Sequence, residues 1–138
     1  MSLWRRIVLN GTPPVPQSAR GPEVAEELQC RVLAALSAHA AADGRIDYRR
    51  LRTSLEFREL GRAAQRLQWV DLTSLAARPA RLAFWINVYN ALAFHAVIAL
   101  EVRRTVWEVL NFFGRVSYRI GPVVVSLDEI EHGILRGN

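Results

Sequence analysis

The residues whose types could do chemistry are Asn87, Asn90, three histidines and a single cysteine, in a sequence of 138 residues. Asn87 and Asn90 are three residues apart, so on a helix they share one face. Amide side chains in apolar surroundings need hydrogen-bond partners. The pair is therefore expected either to tie loop backbone to the core or to line a pocket and orient a substrate carbonyl or a catalytic imidazole.

The histidines differ in their sequence surroundings. His132 follows Glu131 directly, so on a regular helix the two side chains are expected to point apart and not to form an i, i+4 metal pair. His132 is expected to act with a partner from another segment if it acts at all. His95 is surrounded by apolar residues and is expected to be a hydrogen-bonded core residue. His39 lies near a helix C-terminus, where the helix dipole favours it.

Cys30 excludes an intramolecular disulfide and any multi-cysteine metal site, and it is typical of a reducing, cytoplasmic setting. A cysteine in the middle of a helix is expected to be a small buried thiol without a catalytic role. A glycine-rich phosphate loop, a GxSxG elbow and an HExxH motif are all missing from the sequence. We therefore predict no cofactor and no metal.

All 18 basic residues are arginine and outnumber the 13 acids, for a net charge of +5. Arg58, Arg62 and Arg66 are spaced four apart and predict one basic helical stripe, which could contact phosphates. Aromatic residues do not interleave with this stripe, so a solvated face is the better interpretation. Nucleic-acid binding remains a weak alternative.

The stretch LAFWINVYNALAFHAVIAL, residues 82–100, carries no charge and predicts a central helix over about 79–102. Its core-facing stripe is predicted at the positions Leu82, Trp85, Ile86, Tyr89, Leu92, Ala96 and Leu100. The length also suits a membrane span. Two asparagines and a histidine would be costly in hydrocarbon, so burial in protein is favoured and no membrane span is predicted.

The other segments predict an α+β domain that is predominantly helical, with a small β-hairpin at about 116–125. Helices are expected over 23–42, 53–68, 106–113 and 127–136. The last three follow capping-box pairs, which are Thr53 with Glu56, Thr105 with Glu108, and Ser126 with Glu129. Residues 1–22 are rich in proline and glycine and predict an arm or linker before a single domain over 23–138.

Two motifs resemble the family catalogued as domain of unknown function 547. They are RLAFWINVYNALAFHAV at 81–97 and SLDEIEHGILR at 126–136, and a weaker similarity is DGRIDYRRL at 43–51. The resemblance covers roughly residues 25–136. Family members are widespread in bacteria and typically continue into a segment with a His-Phe-Ala-Leu-like strand and a Cys-Pro pair.

The resemblance implies that this chain is the N-terminal part of a longer family domain, compatible with a papain-like or transglutaminase-like fold. The whole domain would then be a thiol-dependent hydrolase or transferase. This part would be inactive alone, with Asn87, Asn90 and His132 as supporting residues. The alternative is a protein interaction or scaffold module without catalysis. In either case, apolar surface beside the central helix is expected to be exposed in this chain alone. It would be covered by the C-terminal part of the domain or by a second copy of the chain, which could form a homodimer with or without a swapped element.

Overall fold

Four α-helices carry the fold in the computed structural model, which describes residues 6–11, 19–101 and 113–135. They are α1 (Gly21–His39), α2 (Tyr48–Arg52), α3 (Leu55–Arg66) and α4 (Arg78–Ala99). Single turns of 3₁₀-helix at Leu67–Trp69 and Leu72–Ser74 connect α3 to α4. Together with a small sheet, they confirm the predicted α+β, predominantly helical fold.

The starts of these helices follow from local side-chain chemistry. Pro22 stands in the first turn of α1, where its missing N–H costs nothing. Asp47 caps α2 by accepting a hydrogen bond from the Arg50 N–H. Ser54 caps α3 by accepting from the Phe57 N–H at 3.1 Å, so the predicted Thr53–Glu56 capping box is wrong by one residue. Ser and Thr are both preferred N-cap residues, so residue type does not distinguish Ser54 from Thr53. Ser54 is the cap because it is the residue that directly precedes the helix in an extended conformation.

The sheet has three strands in the order β1 (Ile7–Val8), β2 (Val116–Ile120) and β3 (Val123–Ser126). Strands β2 and β3 are antiparallel and confirm the predicted hairpin, with Ile120 opposite Val123. The two-residue turn begins at Gly121, whose φ of +58° suits glycine at the first central position. Its N–H donates to the Leu67 carbonyl at 2.8 Å, which ties the turn to the helical layer.

Residues 6–11, which lie within the predicted N-terminal arm, are part of the folded domain. Strand β1 adds parallel to β2, and the Asn10 side chain is 1% exposed. Its amide donates to the carbonyls of Ala64 and Arg119 and accepts from the Arg119 N–H, at 2.7–2.9 Å. This segment is therefore anchored by specific hydrogen bonds; residues 1–5 and 12–18 of the predicted arm lie outside the described residues.

Helix α4 packs against α1 and against residues 129–135, and its buried residues form what we call the closed face. The closed face consists of Phe84, Trp85, Val88, Ala91, Leu92, His95, Ala96 and Ile98. The predicted stripe is right for Trp85, Leu92 and Ala96 but wrong for Ile86, which is 45% exposed. A helix that is apolar all round has no polar side to mark its orientation, so packing decided it.

The last element that the structure describes is a π-helix at Glu129–Leu135, where the sequence predicts an α-helix over 127–136. The predicted Ser126–Glu129 capping box is confirmed. The Ser126 N–H donates to Glu129 Oε1 at 2.8 Å, and the Glu129 N–H donates to Ser126 Oγ at 3.1 Å. Except for its last residue, the predicted helix over 106–113 lies outside the described residues.

Candidate functional site

The half of α4 opposite the closed face is partly or fully accessible, and we call it the open face. It consists of Leu82, Ala83, Ile86, Asn87, Tyr89, Asn90, Ala93, Phe94 and Val97. Every one of these side chains is uncharged, and seven of them are apolar or aromatic. The open face therefore exposes an apolar surface on the most hydrophobic helix that the structure describes.

Asn87 and Asn90 both lie on the open face, and neither is a buried amide. Asn87 is half-buried and accepts a hydrogen bond from Gln29 Nε2 at 2.7 Å, which links α4 to α1. Asn90 is exposed and borders a shallow depression with Gln29, Val32 and Leu33. The expectation of amides buried in the core is thus wrong, because both lie at the accessible margin of the contact between α4 and α1.

A groove opens at the C-terminal end of the open face, between α2 and α4. Its volume is about 800 Å³, and its floor is apolar. Arg52 stands at its rim and pairs with Glu101. The lining residues are Tyr48, Arg49, Arg52, Ala93, Phe94, Val97, Ile98 and Glu101. The uncharged face therefore ends at a charged border.

Polar groups form a cluster at the other edge of the open face. Asp128, Glu131 and His132 each bring one oxygen or nitrogen within 4.8 Å of the others. The Tyr89 hydroxyl lies 3.4 Å from Glu131 Oε2 and donates to it. Partial burial, and then the charges of Glu131 and Asp128, raise the pKa of Tyr89. The cluster therefore joins the C-terminal helix to α4.

Glu131 and His132 do not point apart as predicted, because His132 Nε2 lies 3.7 Å from Glu131 Oε2. A π-helix turns through a smaller angle per residue than an α-helix, so neighbouring side chains diverge less. Asp128 was not among the predicted site residues. The sequence nevertheless contains a pattern that indicates it, because Asp128 and His132 have the i, i+4 spacing that puts two side chains on one helical face.

His95 is a core residue, as predicted. It is 7% exposed, its Nδ1 lies 2.7 Å from the Tyr118 hydroxyl, and its ring stacks on Phe57 with centroids 5.0 Å apart. The Tyr118 hydroxyl also donates to the Leu92 carbonyl at 3.2 Å, so we assign the remaining bond as His95 Nδ1–H donating to the Tyr118 oxygen. Burial lowers the pKa of His95 to about 4, which keeps the ring neutral at physiological pH.

Cys30 is exposed, which corrects the prediction of a buried thiol. Helix α1 turns this position outward because its buried side is set by Val24, Leu28 and Ala35. His39, by contrast, lies near the C-terminus of α1 as predicted, and its Nε2 is 2.8 Å from Glu56 Oε1.

The arginine stripe on α3 is largely neutralised by neighbouring carboxylates. Arg62 pairs with Glu59 at 3.1 Å, and Arg66 pairs with Glu27 at 2.7 Å. A phosphate would have to displace these acids, which weakens the case for a nucleic-acid surface on this helix.

Comparison with known proteins gives one match. The model of the family described as "Protein of unknown function, DUF547" matches residues 72–138. This range starts at the 3₁₀ turn before α4 and contains both signature stretches, whereas DGRIDYRRL at 43–51 precedes it. No curated protein and no solved structure matches the chain. The matched residues hold the whole open face and the polar cluster, and over residues 72–138 the chain is similar to the DUF547 family.

Proposed function

We propose that this domain is a protein-interaction module that self-associates through the open face of α4. The observation that carries the proposal is the absence of charge on that face. Arg81 and Glu101 are the nearest charged residues of the helix on either side, and the 19 residues between them are uncharged. Apolar surface of this extent on a folded domain usually marks a contact with another molecule.

The occupant that fits best is a second copy of the chain. Each chain carries a net charge of +5, so two copies repel one another over most of their surface. They can approach one another through an uncharged surface, and the open face is such a surface. Two α4 helices packed face to face would form a twofold contact, which is the commonest symmetry of soluble oligomers.

The polar groups on the open face suit such a contact. Asn90 is exposed and has both an amide donor and a carbonyl acceptor, so two symmetry-related copies can satisfy one another. Ala83 and Ala93 are small and would let two helix backbones approach closely. A single polar residue in an apolar helix contact fixes the register of the partners, at some cost in stability.

The test is the molar mass in solution, measured by sedimentation velocity over a range of protein concentrations. We expect the wild-type chain to sediment as a dimer and Ile86→Asp to sediment as a monomer, because a dimer would bury the introduced carboxylate twice. Leu55→Asp is the matched control, since Leu55 is 58% exposed on α3 and should leave the dimer intact. A wild-type monomer at every concentration, or equal effects of the two variants, would overturn the proposal.

A second candidate function is the supporting part of a thiol-dependent site, as the family resemblance suggested. The observation that favours it is the pairing of His132 with Glu131 at the edge of the open face. An imidazole oriented by a carboxylate can activate a thiol supplied by another segment. In a protein extended beyond Asn138, an iodoacetamide-reactive cysteine should then lose its reactivity in His132→Ala. Unchanged labelling rates in this variant would contradict the candidate.

A further inference from the structure

The cluster of Asp128, Glu131 and His132 combines two carboxylates with one imidazole. Its three donor atoms lie within 4.8 Å of one another, and the His132 nitrogen is 3.7 Å from the Glu131 oxygen. Zinc bonds of about 2 Å hold tetrahedral ligand atoms roughly 3.3 Å apart. The donors thus need to close by up to about 1.5 Å, a distance that rotation of these partly exposed side chains can cover.

The chemistry of the donors selects among metal ions. Calcium and magnesium prefer sets of oxygen ligands alone, whereas an imidazole nitrogen suits zinc and neighbouring transition metals. Two carboxylates and a neutral imidazole would balance the charge of a divalent ion. Three protein ligands leave the fourth tetrahedral position for water or for a group from outside.

The surroundings of the cluster would support a ligand role. The Tyr89 hydroxyl donates to Glu131 Oε2 from α4, and hydrogen bonds of this kind orient carboxylates that bind metals. Gly114 lies close to the other carboxylate, since a Cβ added there would contact Asp128 Oδ2 at 3.4 Å, and the missing side chain leaves that oxygen accessible on this side. His132 keeps 57% of its side chain accessible, so an ion can reach it from solvent.

We propose that Asp128, Glu131 and His132 form a three-ligand site for a divalent transition-metal ion, with Zn²⁺ as the best fit. The site is separate from the dimer contact proposed above, apart from Tyr89, which borders both. Zinc at this position uses the lone pair of the His132 ring, so it excludes a role of the same nitrogen as a general base.

The experiment is a titration of the untagged, metal-free chain with Zn²⁺ by isothermal calorimetry, and with Co²⁺ by visible absorption. We expect saturable binding of one ion per chain and the intense d–d bands of a tetrahedral cobalt site. His132→Ala and Asp128→Asn should each weaken binding by about tenfold or more, because each removes one of three ligands. Circular dichroism checks that both variants are folded.

His39→Gln is the matched control, since His39 also lies beside a glutamate, at 2.8 Å from Glu56. This variant should bind zinc as the wild type does. Failure to reach saturation at one ion per chain would overturn the site, as would equal losses in His39→Gln and His132→Ala. The dimer is measured without metal, so a failure of either proposal is visible independently of the other.

Discussion

The two faces of α4 have similar composition but different surroundings. Val88 and Leu92 of the closed face belong to the hydrophobic core, and both are fully buried. The open face carries Ile86, an equally apolar residue, at 45% exposure. Hydrophobicity therefore made α4 the central helix without determining how it is oriented. The uncovered half is consequently the part of the helix that is free for function.

The largest expected difference between the faces is in stability. Leu92→Ala should lower the free energy of unfolding by about 2–5 kcal/mol, because it leaves a cavity in a close-packed core. Ile86→Ala should lower it by about 0.5 kcal/mol or less, because nearly half of the residue is already exposed to water. Urea unfolding at a concentration where the chain is monomeric measures both. Similar losses for the two variants would show that the open face is covered.

The closed face also contains a titratable group, and this predicts an acid-sensitive core. The pKa of His95 is about 4 in the folded protein and near 6.5 when unfolded. The unfolded state therefore binds more protons between these values, and stability falls as pH falls through this window. Relative to neutral pH, the free energy of unfolding should fall by about 2 kcal/mol at about pH 5 and by about 3 kcal/mol once the pH is below 4.

Urea unfolding at about pH 7.5 and about pH 5 measures this loss, and His95→Gln is the control variant. The variant should be less stable at neutral pH but should show a flatter pH dependence, because its side chain does not titrate. An equal pH dependence in the two proteins would mean that carboxylates, and not His95, cause the acid sensitivity.

The stability of the hairpin turn at Gly121 should be sensitive to the addition of a single methyl group. Gly121→Ala should destabilise the protein by about 1–3 kcal/mol, because alanine is strained at positive φ. The added Cβ would also lie 2.8 Å from the Val70 carbonyl oxygen. Gly44→Ala provides the comparison, since Gly44 has a φ of +85° but open space around it. Thermal unfolding should show the larger loss for Gly121→Ala, and the reverse order would contradict the close approach.

The smallest expected effect is that of removing the Asn90 amide from the open face. Asn90→Ala should change the free energy of unfolding by about 0.5 kcal/mol or less, because its side chain is exposed. Asn10→Ala should cost about 2–3 kcal/mol, since it leaves buried backbone groups of Ala64 and Arg119 unpaired. Chemical denaturation of the two variants compares an amide on the open face with one in the core. A large loss for Asn90→Ala in the monomer would mean that it has a structural role.

Much of the helical framework could be predicted because its signals are local. The reciprocal bonds of Ser126 and Glu129 and the Gly121–Pro122 turn act over a few residues, and both were found where they were expected. Apolar periodicity predicted the helices but placed Ile86 on the wrong face of α4. The polar cluster was predicted only in part. His132 was identified as a candidate, but its proximity to Glu131 depends on a π-helical turn that has no distinct sequence pattern.

By itself, the sequence determined the predominantly helical class, the hairpin, the core position of His95 and the resemblance to the DUF547 family. Tertiary structure alone decided which half of α4 is buried, that Ile7–Val8 joins the sheet beside Val116, and that Glu131 meets Tyr89 of α4. The physical reason is that local signals specify elements, whereas orientation depends on competition between surfaces. On a helix that is apolar all round, this competition is settled by packing against distant parts of the chain.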